Sequence, residues 1–502
     1  MPAGARAPLA LLTLTAAVGC FVSVEGSSSS TPEIQVQLGK LLYAEARYGE
    51  ALTAFRSALG SAGGRLRLAA RIGVVQSCVR TGDFDAVRAE SALLREEGRD
   101  DAEALAVYGD ASWSTGLFAE AEEAYRRSLA LAPDAPRGHN GAARMLMARS
   151  RLDEALDQSL LAVGLDPREA EFRHTLGNIY ERQGRYEAAA QALSAFINLL
   201  PKGIADPRAA LAGAEMRFLS SFGKRVPYEF VSDPDRVYTL PFRLENDKII
   251  VGGRVNGSRQ IDFVVDTGAE MTTISRGTGE REGVSPVTYT ISAGVGEVGL
   301  RVLQLGRLDK LEVGPLKLKR VPCILKSPAL NDLPSPEGES LSPLAMGLSV
   351  HVDYRRRVLT LARRLPEDGP ADVTMPLWMY RLATVRGTVG DGHTRSFVVD
   401  TGGEVISIST DTAKALPPPQ WRKIALRVYG ASGWDRDAYL LPGVDLAFDD
   451  IRFTKMSVVV LNLRAPSVLL GYDLGGIVGH RFLSRYHVSI DLGRSELRLK
   501  AS

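Results

Sequence analysis

The sequence predicts a multidomain α + β protein, with an α-helical repeat array in its first half and a mostly-β, two-lobed domain in its second half. Three observations predict this architecture. Residues 31–201 follow a 34-residue period, the pattern changes to short alternating apolar runs near Pro227, and the hexapeptide FVVDTG occurs twice, beginning at Phe263 and at Phe397. The 502 residues are enough for several domains, each with its own core.

Composition narrows the range of functions. Hydrophobic residues make up 45% of the chain and charged residues 24%, as in ordinary globular proteins. The net charge of +2 provides no electrostatic argument for binding nucleic acid. Three cysteines do not make a disulfide framework, and neither they nor the six scattered histidines have metal-ligand spacing. We therefore expect no nucleic acid, no metal and no organic cofactor.

The amino terminus (residues 1–30) reads as an export signal followed by a tether. Arg6 precedes the apolar run APLALLTLTAAVG, which ends at Cys20 and is too short to span a bilayer as a helix. The segment from Ala17 to Cys20 resembles a bacterial lipobox, although Ala17 replaces the usual leucine. This resemblance implies a lipidated Cys20 and a periplasmic or cell-envelope lipoprotein, with possible membrane attachment, and GSSSS (26–30) suits a flexible tether. The alternative is an ordinary cleaved signal and a secreted soluble protein.

Residues 31–201 are the repeat array. Several columns recur every 34 residues, among them Pro133, Pro167 and Pro201. Small residues such as Gly39 occupy positions where helices approach closely, and large ones such as Phe55 fill the grooves. The pattern resembles the tetratricopeptide repeat, in about five copies that include a degenerate one at 65–90. The resemblance implies an α-helical solenoid that binds a protein partner on its concave face, with a spacer or dimerisation role as the alternative. Residues 202–234 would form a capping helix and a linker.

The second half of the chain is duplicated. IDFVVDTGAEMTTIS around Asp266 pairs with RSFVVDTGGEVISIS around Asp400, and the endings VHVDYRRRVLTL (350–361) and VSIDLGRSELRL (488–499) also correspond. This predicts two related β-lobes, at 235–368 and 369–502. The paired Asp-Thr-Gly frames resemble those of the aspartic peptidases, in particular the retropepsin-like group, with both lobes in one chain as in pepsin-like enzymes. The catalytic unit would then form within a single chain.

The resemblance implies a role for each residue of the repeated motif. Asp266 and Asp400 would be a catalytic dyad that shares one proton and activates a water molecule. Thr267 and Thr401 would hydrogen-bond across to the opposite loop. Gly268 and Gly402 would let backbone N–H groups approach the carboxylates. The next position holds Ala269 in lobe 1, which is usual, and Gly403 in lobe 2, which is not; we expect looser packing at Gly403.

Glycine-rich stretches follow each aspartate at similar distances. Gly294 lies 28 residues after Asp266, and Gly430 lies 30 residues after Asp400. We interpret them as hairpin tips, the flaps that close over substrate in this family. The predicted flap residues are Gly294, Val295 and Gly296 in lobe 1 and Gly430, Ala431, Ser432 and Gly433 in lobe 2. GVGEVG (294–299) also matches a dinucleotide-binding pattern, a weak signal in isolation because no clear helix follows it.

A hydrophobic-hydrophobic-glycine segment supports each catalytic loop in this family. Ile477-Val478-Gly479 supplies it in lobe 2. In lobe 1, Ala345-Met346-Gly347 fits the pattern but lies too close to Asp353, and an alignment without a gap places Leu341 opposite Gly479. Either lobe 1 lacks a short helix or its glycine has been lost.

These observations together predict an aspartic endopeptidase that binds an extended polypeptide in the cleft between its lobes, with the repeats recruiting a partner or the substrate. The alternative is a non-catalytic, peptide-binding scaffold with a degenerate protease fold.

Overall fold

The computed structural model describes residues 31–202, 207–296, 300–326, 338–367, 369–417, 423–430 and 433–501. The predicted export signal and Cys20 lie outside the described residues, as do Ala431 and Ser432 of the second predicted flap.

Helices occupy the first half of the described chain. They are α1 (Pro32–Ala44), α2 (Tyr48–Leu59), α3 (Gly64–Thr81), α4 (Phe84–Glu97), α5 (Ala102–Ser114), α6 (Phe118–Leu131), α7 (Pro136–Ala148), α8 (Leu152–Leu165), α9 (Ala170–Arg182), α10 (Tyr186–Leu199) and α11 (Pro207–Ser220). The first ten form consecutive antiparallel pairs, and α3 with α4 is the copy that is degenerate in sequence. Close packing explains the small residues: a Cβ atom on Gly39 would lie 2.6 Å from the ring of Phe55. The predicted helical repeat array is confirmed.

Side chains from early and late helices of the repeat array meet. The guanidinium of Arg80 in α3 lies 2.8 Å from the carboxylate of Glu171 in α9, and Arg208 in α11 lies 2.6 Å from the same carboxylate. Arg208 also donates a hydrogen bond of 3.1 Å to the hydroxyl of Tyr48, at the start of α2. These side-chain contacts join α2 and α3 to α9 and α11, so the array encloses a lumen, and we call it the repeat ring.

Strands and short helices make up the second half of the described chain. The strands of the first lobe are β1 (Glu229–Phe230), β2 (Tyr238–Pro241), β3 (Arg243–Glu245), β4 (Lys248–Val255), β5 (Ile261–Val265), β6 (Thr272–Ser275), β7 (Pro286–Ala293), β8 (Leu300–Val313), β9 (Leu316–Lys326), β10 (Glu339–Leu341), β11 (Ser349–Asp353) and β12 (Val358–Ala362). The helices of this lobe are α12 (Arg276–Arg281) and a 3-10 turn (Leu344–Met346). Most of the strands form one sheet in the order β1-β9-β6-β10-β5-β4-β8-β7, with β3 paired to β4.

The second lobe repeats this plan. Its strands are β13 (Val373–Pro376), β14 (Trp378–Tyr380), β15 (Leu382–Val389), β16 (His393–Val399), β17 (Ser407–Ser409), β18 (Ile424–Ala425), β19 (Val428–Gly430), β20 (Gly433–Asp435), β21 (Tyr439–Phe448), β22 (Ile451–Leu461), β23 (Gly476–Val478), β24 (Tyr486–Asp491) and β25 (Glu496–Ala501). Its helices are α13 (Thr410–Lys414), α14 (Arg464–Leu470) and α15 (His480–Leu483). The main sheet has the order β14-β15-β16-β23-β17-β22-β21-β18.

The two duplicated endings join the lobes. A third sheet has the order β13-β25-β24-β11-β12-β2 and takes strands from both lobes. Its centre is the antiparallel pairing of β11 with β24, in which His351 lies opposite Ser489. The segments whose similarity marks the duplication therefore pair with each other at the junction of the lobes. The predicted mostly-β, two-lobed domain is confirmed.

The repeat ring is attached to both lobes. Against lobe 2, Phe118 of α6 packs edge-on to Tyr472 and Trp113 of α5 packs edge-on to Tyr380, both with ring centroids about 5 Å apart. Against lobe 1, Phe222 and its neighbours after α11 pack in one apolar cluster with Leu305 of β8. Aromatic burial of this kind is a large stabilising contribution. The ring therefore bridges the lobes above the cleft between them.

Candidate active site

Each aspartate of the repeated motif follows a buried strand in the same way. Asp266 follows β5 and its backbone N–H donates to the carbonyl of Leu341, at 2.9 Å. Asp400 follows β16 and donates to the carbonyl of Val478, at 3.0 Å. The strands that accept these bonds, β10 and β23, run parallel to β5 and β16 in equivalent registers. The apolar residues before each aspartate thus anchor its loop at the middle of a sheet.

The two threonines link the loops reciprocally. The hydroxyl of Thr267 donates to the carbonyl of Val399 at 2.7 Å, and that of Thr401 donates to the carbonyl of Val265 at 2.7 Å. Each hydroxyl also accepts from the other threonine's N–H, at 3.0 and 3.2 Å. Both threonines are buried. Four hydrogen bonds therefore hold the loops face to face, the arrangement that the family resemblance implies for these threonines.

The glycines of the motif lie against the opposite carboxyl groups. A Cβ atom on Gly268 would be 2.6 Å from an oxygen of Asp400, and one on Gly402 would be 2.6 Å from the carboxyl carbon of Asp266. Each glycine N–H donates to the aspartate of its own loop, at 3.0 Å for Gly268 and 2.7 Å for Gly402. No side chain fits at either position, so glycine is required by this close approach.

The two carboxyl groups are electrostatically coupled. Burial, together with the charge of Asp400 and a hydrogen bond to it, raises the pKa of Asp266 from its usual 3.8 to about 7. The N–H of Gly268 and the charge of Lys326 act in the opposite direction and only moderate this shift. Two carboxyls in such proximity hold one proton between them over a wide pH range. The pair can therefore offer one acid and one base to the same substrate bond.

The described parts of the two predicted flaps lie against each other. Gly294, Val295 and Gly296 follow β7 at the turn toward β8, and residues 297–299 lie outside the described part of the chain. Gly430 ends β19 and Gly433 begins β20 of the second hairpin. Gly430 lies so close to Val295 that a Cβ atom there would be 2.6 Å from the Cβ of Val295. A strand, not a helix, follows GVGEVG, which favours the flap over the dinucleotide-binding interpretation.

The expected looseness at Gly403 is wrong. A Cβ atom on Gly403 would lie 2.8 Å from an oxygen of Asp400 and 3.2 Å from its carboxyl carbon. The carboxyl of Asp400 occupies the space that alanine, serine or threonine would need. Lobe 1 has Ala269 at the equivalent position, so the two loops differ in backbone path immediately after the shared motif.

The structure also identifies the segment that supports the catalytic loop of lobe 1. Leu341 pairs with Val265 in the register in which Val478 pairs with Val399, so Ser342, not Leu341, is the counterpart of Gly479. The hydroxyl of Ser342 donates to the carbonyl of Ala269, at 2.6 Å. The glycine of this segment has therefore been replaced by a serine that bonds the catalytic loop.

Ala345-Met346-Gly347 is not the support segment. Leu344–Met346 form the 3-10 turn that comes after it, where lobe 2 has α15. The regular spacing from glycine to aspartate in lobe 2 is lost in lobe 1 because the helical turn is shorter there.

Residues outside the motif complete the site, and sequence reasoning missed them. The ammonium group of Lys248, at the start of β4, donates to the carbonyl of Gly402. Glu270 of lobe 1 pairs with Arg381 of lobe 2 at 2.6 Å. Arg182 of α9 donates to the carbonyl of Met379 at 2.6 Å, so the repeat ring contacts the same turn of lobe 2 that pairs with Glu270. No local signal marks these residues, because each partner is distant in sequence.

Two kinds of feature are absent among the residues that the structure describes. No group of three or more histidine, cysteine, aspartate or glutamate side chains is arranged to hold a metal ion in the described ranges. No helix within those ranges is long and apolar enough to cross a membrane.

Comparison with known proteins supports both halves of the architecture. Residues 251–333 match the family model of the gag-polyprotein aspartyl protease, and residues 385–474 match a second aspartyl protease model. The tetratricopeptide repeat model matches residues 80–136, 109–168 and 142–207. The chain thus carries aspartyl-protease-like domains in tandem behind tetratricopeptide repeats.

The chain is also similar, over part of its length, to individual proteins. The aspartic proteinase of Irpex lacteus is 15% identical, covers 53% of this chain and 98% of its own, and has a TM-score of 0.32. A thermophilic tetratricopeptide repeat protein of Thermus thermophilus is 19% identical, covers 36% and 98%, and has a TM-score of 0.31. A curated relative, the TPR repeat-containing thioredoxin TTL4 of Arabidopsis thaliana, is 34% identical over 93 residues, which are 18% of this chain and 14% of the relative. The chain therefore spans only a small part of that relative's length.

Proposed function

We propose that the protein is an aspartic endopeptidase that hydrolyses peptide bonds with Asp266 and Asp400 as its catalytic dyad. The observation that carries this proposal is the coupled carboxyl pair, held by reciprocal threonine hydrogen bonds between equivalent loops. An isolated Asp-Thr-Gly motif would carry little weight. Two such loops facing each other, in segments that match aspartyl protease models, are the arrangement that the reaction needs.

The proposed mechanism uses both protonation states of the pair. The ionised carboxyl takes a proton from a water molecule, which attacks the scissile carbonyl carbon. The protonated carboxyl donates a hydrogen bond to the carbonyl oxygen and stabilises its developing charge. The tetrahedral intermediate then collapses, and the leaving nitrogen receives a proton from the dyad. Gly268 and Gly402 hold the carboxyl oxygens in place through their N–H groups.

The substrate would be an extended polypeptide segment. Val295, which follows β7, meets Gly430 at the end of β19, and these two segments are suited to close over such a polypeptide. Extended chains bind in clefts of this kind through strand-like backbone hydrogen bonds. The repeat ring would recruit a protein partner or the substrate itself, in keeping with the interaction role of such arrays.

The deciding experiment is cleavage of a diverse peptide library by the wild type and by the Asp266→Asn variant, from roughly pH 3 to roughly pH 8, the range over which a coupled dyad titrates. Cleavage by the wild type that is lost in the variant supports the enzyme. If the purified, folded wild type cuts nothing over this range, the non-catalytic peptide-binding scaffold becomes the better description.

We also propose that the protein is exported and anchored to a bacterial cell envelope through a lipid on Cys20. The support is the apolar run before Cys20 and the serine-rich stretch after it. Metabolic labelling with a radioactive fatty acid should label the wild type and not the Cys20→Ala variant. Equal labelling of the two, or none in either, would contradict the anchor and leave the secreted soluble form.

A further inference from the structure

The lumen of the repeat ring and the cleft of the two lobes are one continuous cavity. Its volume is about 1940 Å³, and its wall includes Gln76, Asn140 and Asn178 from the ring as well as Asp266 and Gly402 from the catalytic loops. Pockets for small molecules usually measure about 300–1,000 Å³. We call this cavity the chamber. Its size and its extent across both halves of the chain suit a polymer better than a small metabolite.

The ring forms a roof over the chamber and is not free to swing away. On one side its middle helices are held to lobe 2, where Arg88 of α4 pairs with the buried Asp473 and the carbonyl of Ser114 accepts from the N–H of Asp473 at 2.8 Å. On the other side the cluster around Phe222 is buried against Leu305 of lobe 1. Attachment to both lobes places the concave face of the ring directly opposite the dyad.

Ion pairs also join α3 and α11 to α9, and we call the cluster of Arg80, Glu171 and Arg208 the clasp. Burial opposes ionisation of Glu171, but Arg80 and Arg208 together outweigh it and hold the pKa of Glu171 well below its ordinary value. The carboxylate of Glu171 therefore stays ionised at pH values at which a free glutamate would take up a proton. A folded domain of 100 residues has a radius of gyration of about 13 Å, and so occupies roughly ten times the volume of the chamber. Only an unfolded segment can enter.

The ring wall offers groups that suit such a segment. Gln76 on α3 and Asn178 on α9 carry carboxamides that both donate and accept hydrogen bonds. Asn178 reaches the hydroxyl of Tyr380 in lobe 2 at 3.3 Å, so this part of the wall is continuous with the cleft. An extended backbone carries one donor and one acceptor at almost every residue. The carboxamides of the wall can therefore pair with such a backbone.

We propose that the concave face of the repeat ring is the roof of the substrate site, so that the segment to be cut lies between the ring and the dyad. The ring is then a wall of the peptidase and not a separate docking module, and the substrate class is the unfolded end of a polypeptide. This inference rests on the proposed peptidase function for its biological meaning, but peptide binding in the chamber can be tested without cleavage.

The first experiment uses the full chain with Asp266→Asn, so that bound peptides remain intact. A benzophenone-bearing amino acid replaces Gln76 in the lumen wall or, as the matched control, Gln191, an exposed glutamine on the outer helix α10. Each protein is irradiated with a biotinylated peptide library and probed for attached biotin. Capture at position 76, at least about ten times that at position 191, is expected. Equal capture at both positions, or none at position 76 in a folded protein, would overturn the proposal.

The second experiment needs no variant and uses one peptide that the wild type cuts. The same sequence is presented as a free peptide, as the carboxy-terminal tail of a folded domain, and as a linker between two folded domains. A roofed chamber should cut the first two forms and should cut the linker at least about ten times more slowly, because folded flanks block entry on both sides. Equal cleavage of the linker would contradict the roof.

The outcomes separate the two proposals. Capture at position 76 by a protein that cuts no peptide would retain the roof and refute the peptidase. Cleavage of peptides without capture at position 76, together with rapid cleavage of the linker, would retain the peptidase and refute the roof.

Discussion

In lobe 1 the strand beneath the catalytic loop is followed by Ser342, whose hydroxyl bonds the loop, whereas in lobe 2 the equivalent strand is followed by Gly479, which has no such group. Beyond the shared motif, lobe 1 has Ala269 where lobe 2 has Gly403, whose α-carbon faces the carboxyl of Asp400. The threonine hydrogen bonds between the lobes are nonetheless almost equal in length. The interface between the lobes has stayed symmetric, while the support behind each loop has diverged.

Duplication constrains some positions of the sequence more than others. Residues that contact the other lobe, such as Thr267 and Thr401, must satisfy the same geometry from both sides. Residues that contact only their own lobe, such as Ser342 and Gly479, can change if a local compensation is available.

The aspartates should act as one unit. Asp266→Asn or Asp400→Asn should each lower kcat/KM by at least about 10³-fold, because neither variant can share a proton or deprotonate water. The double variant should be little worse than either single one, since groups that act together are non-additive. Steady-state cleavage of a fluorogenic peptide measures this. A single variant that retains a tenth of the activity would show that one lobe carries the chemistry alone.

The pH dependence should report the coupled pair. Because the pKa of Asp266 is raised to about 7, the singly protonated pair persists in acid and activity should fall roughly tenfold per pH unit above that value. The folded state holds a proton that the unfolded state has released between the usual pKa of 3.8 and about 7, so the stability contributed by this group declines as pH rises through that window. The Asp266→Asn variant should lack that decline in a denaturation series. A wild type and a variant with parallel stability profiles would contradict the raised pKa.

Substitutions of the two support residues, Gly479 and Ser342, should lower the free energy of unfolding by unequal amounts. Gly479→Ser should lower the free energy of unfolding by about 3 kcal/mol, because a Cβ atom there would lie 2.5 Å from the carbonyl oxygen of Val405. Ser342→Gly should cost only about 1 kcal/mol, the value of its hydrogen bond to Ala269. Urea denaturation measures both. Equal losses would mean that the two supports have not diverged.

Equivalent substitutions of the two threonines should lower the free energy of unfolding by equal amounts. Thr267→Val and Thr401→Val each remove one donated and one accepted hydrogen bond in a buried site and should each lower the free energy of unfolding by about 2 kcal/mol. Thr53→Val, at an exposed helical position, is the control and should change it little. If the losses in free energy of unfolding of the two buried variants differ by well above about 0.5 kcal/mol, a typical limit for equivalent sites, the interface is not energetically symmetric.

Substitution of the residue that follows the motif should lower kcat in lobe 2 and not in lobe 1. Gly403→Ala should displace the carboxyl of Asp400 and lower kcat by about tenfold, the effect of misplacing a catalytic group by a fraction of an ångström. Ala269→Gly, the reciprocal change, should leave kcat within about twofold, because it removes a side chain and adds no contact. Comparable losses in the two variants would show that the glycine of lobe 2 has no special role.

Much of this architecture is predictable from the sequence because its signals are local. The 34-residue period reflects contacts between neighbouring helices, and FVVDTG contains the strand, the acid, the linking threonine and the glycine within six residues. The closure of the ring is not predictable in this way. Arg80 and Glu171 belong to non-adjacent repeats, and ordinary charged residues at helix surfaces give no indication of their partners.

The support of lobe 1 is not predictable from the sequence for a related reason. Its register is set by the pairing of β10 with β5, which is a tertiary contact, and the shorter turn after Ser342 removes the spacing on which an ungapped alignment depends. The ion pair of Glu270 with Arg381 is equally unpredictable from the sequence, because the two residues lie 111 positions apart on different lobes.

The clasp between Arg80, Glu171 and Arg208 changes how the helical half should unfold. An open stack of repeats has only nearest-neighbour coupling, so its terminal units can fray independently and its cooperativity weakens with length. Joining the first helices to the last adds contacts of long sequence separation, which raise the contact order and slow folding. Loss of one repeat would then disrupt the contacts between early and late helices, and would not simply shorten the array. The helical half should accordingly melt in a single transition, and its end helices should exchange amide hydrogens as slowly as its middle ones.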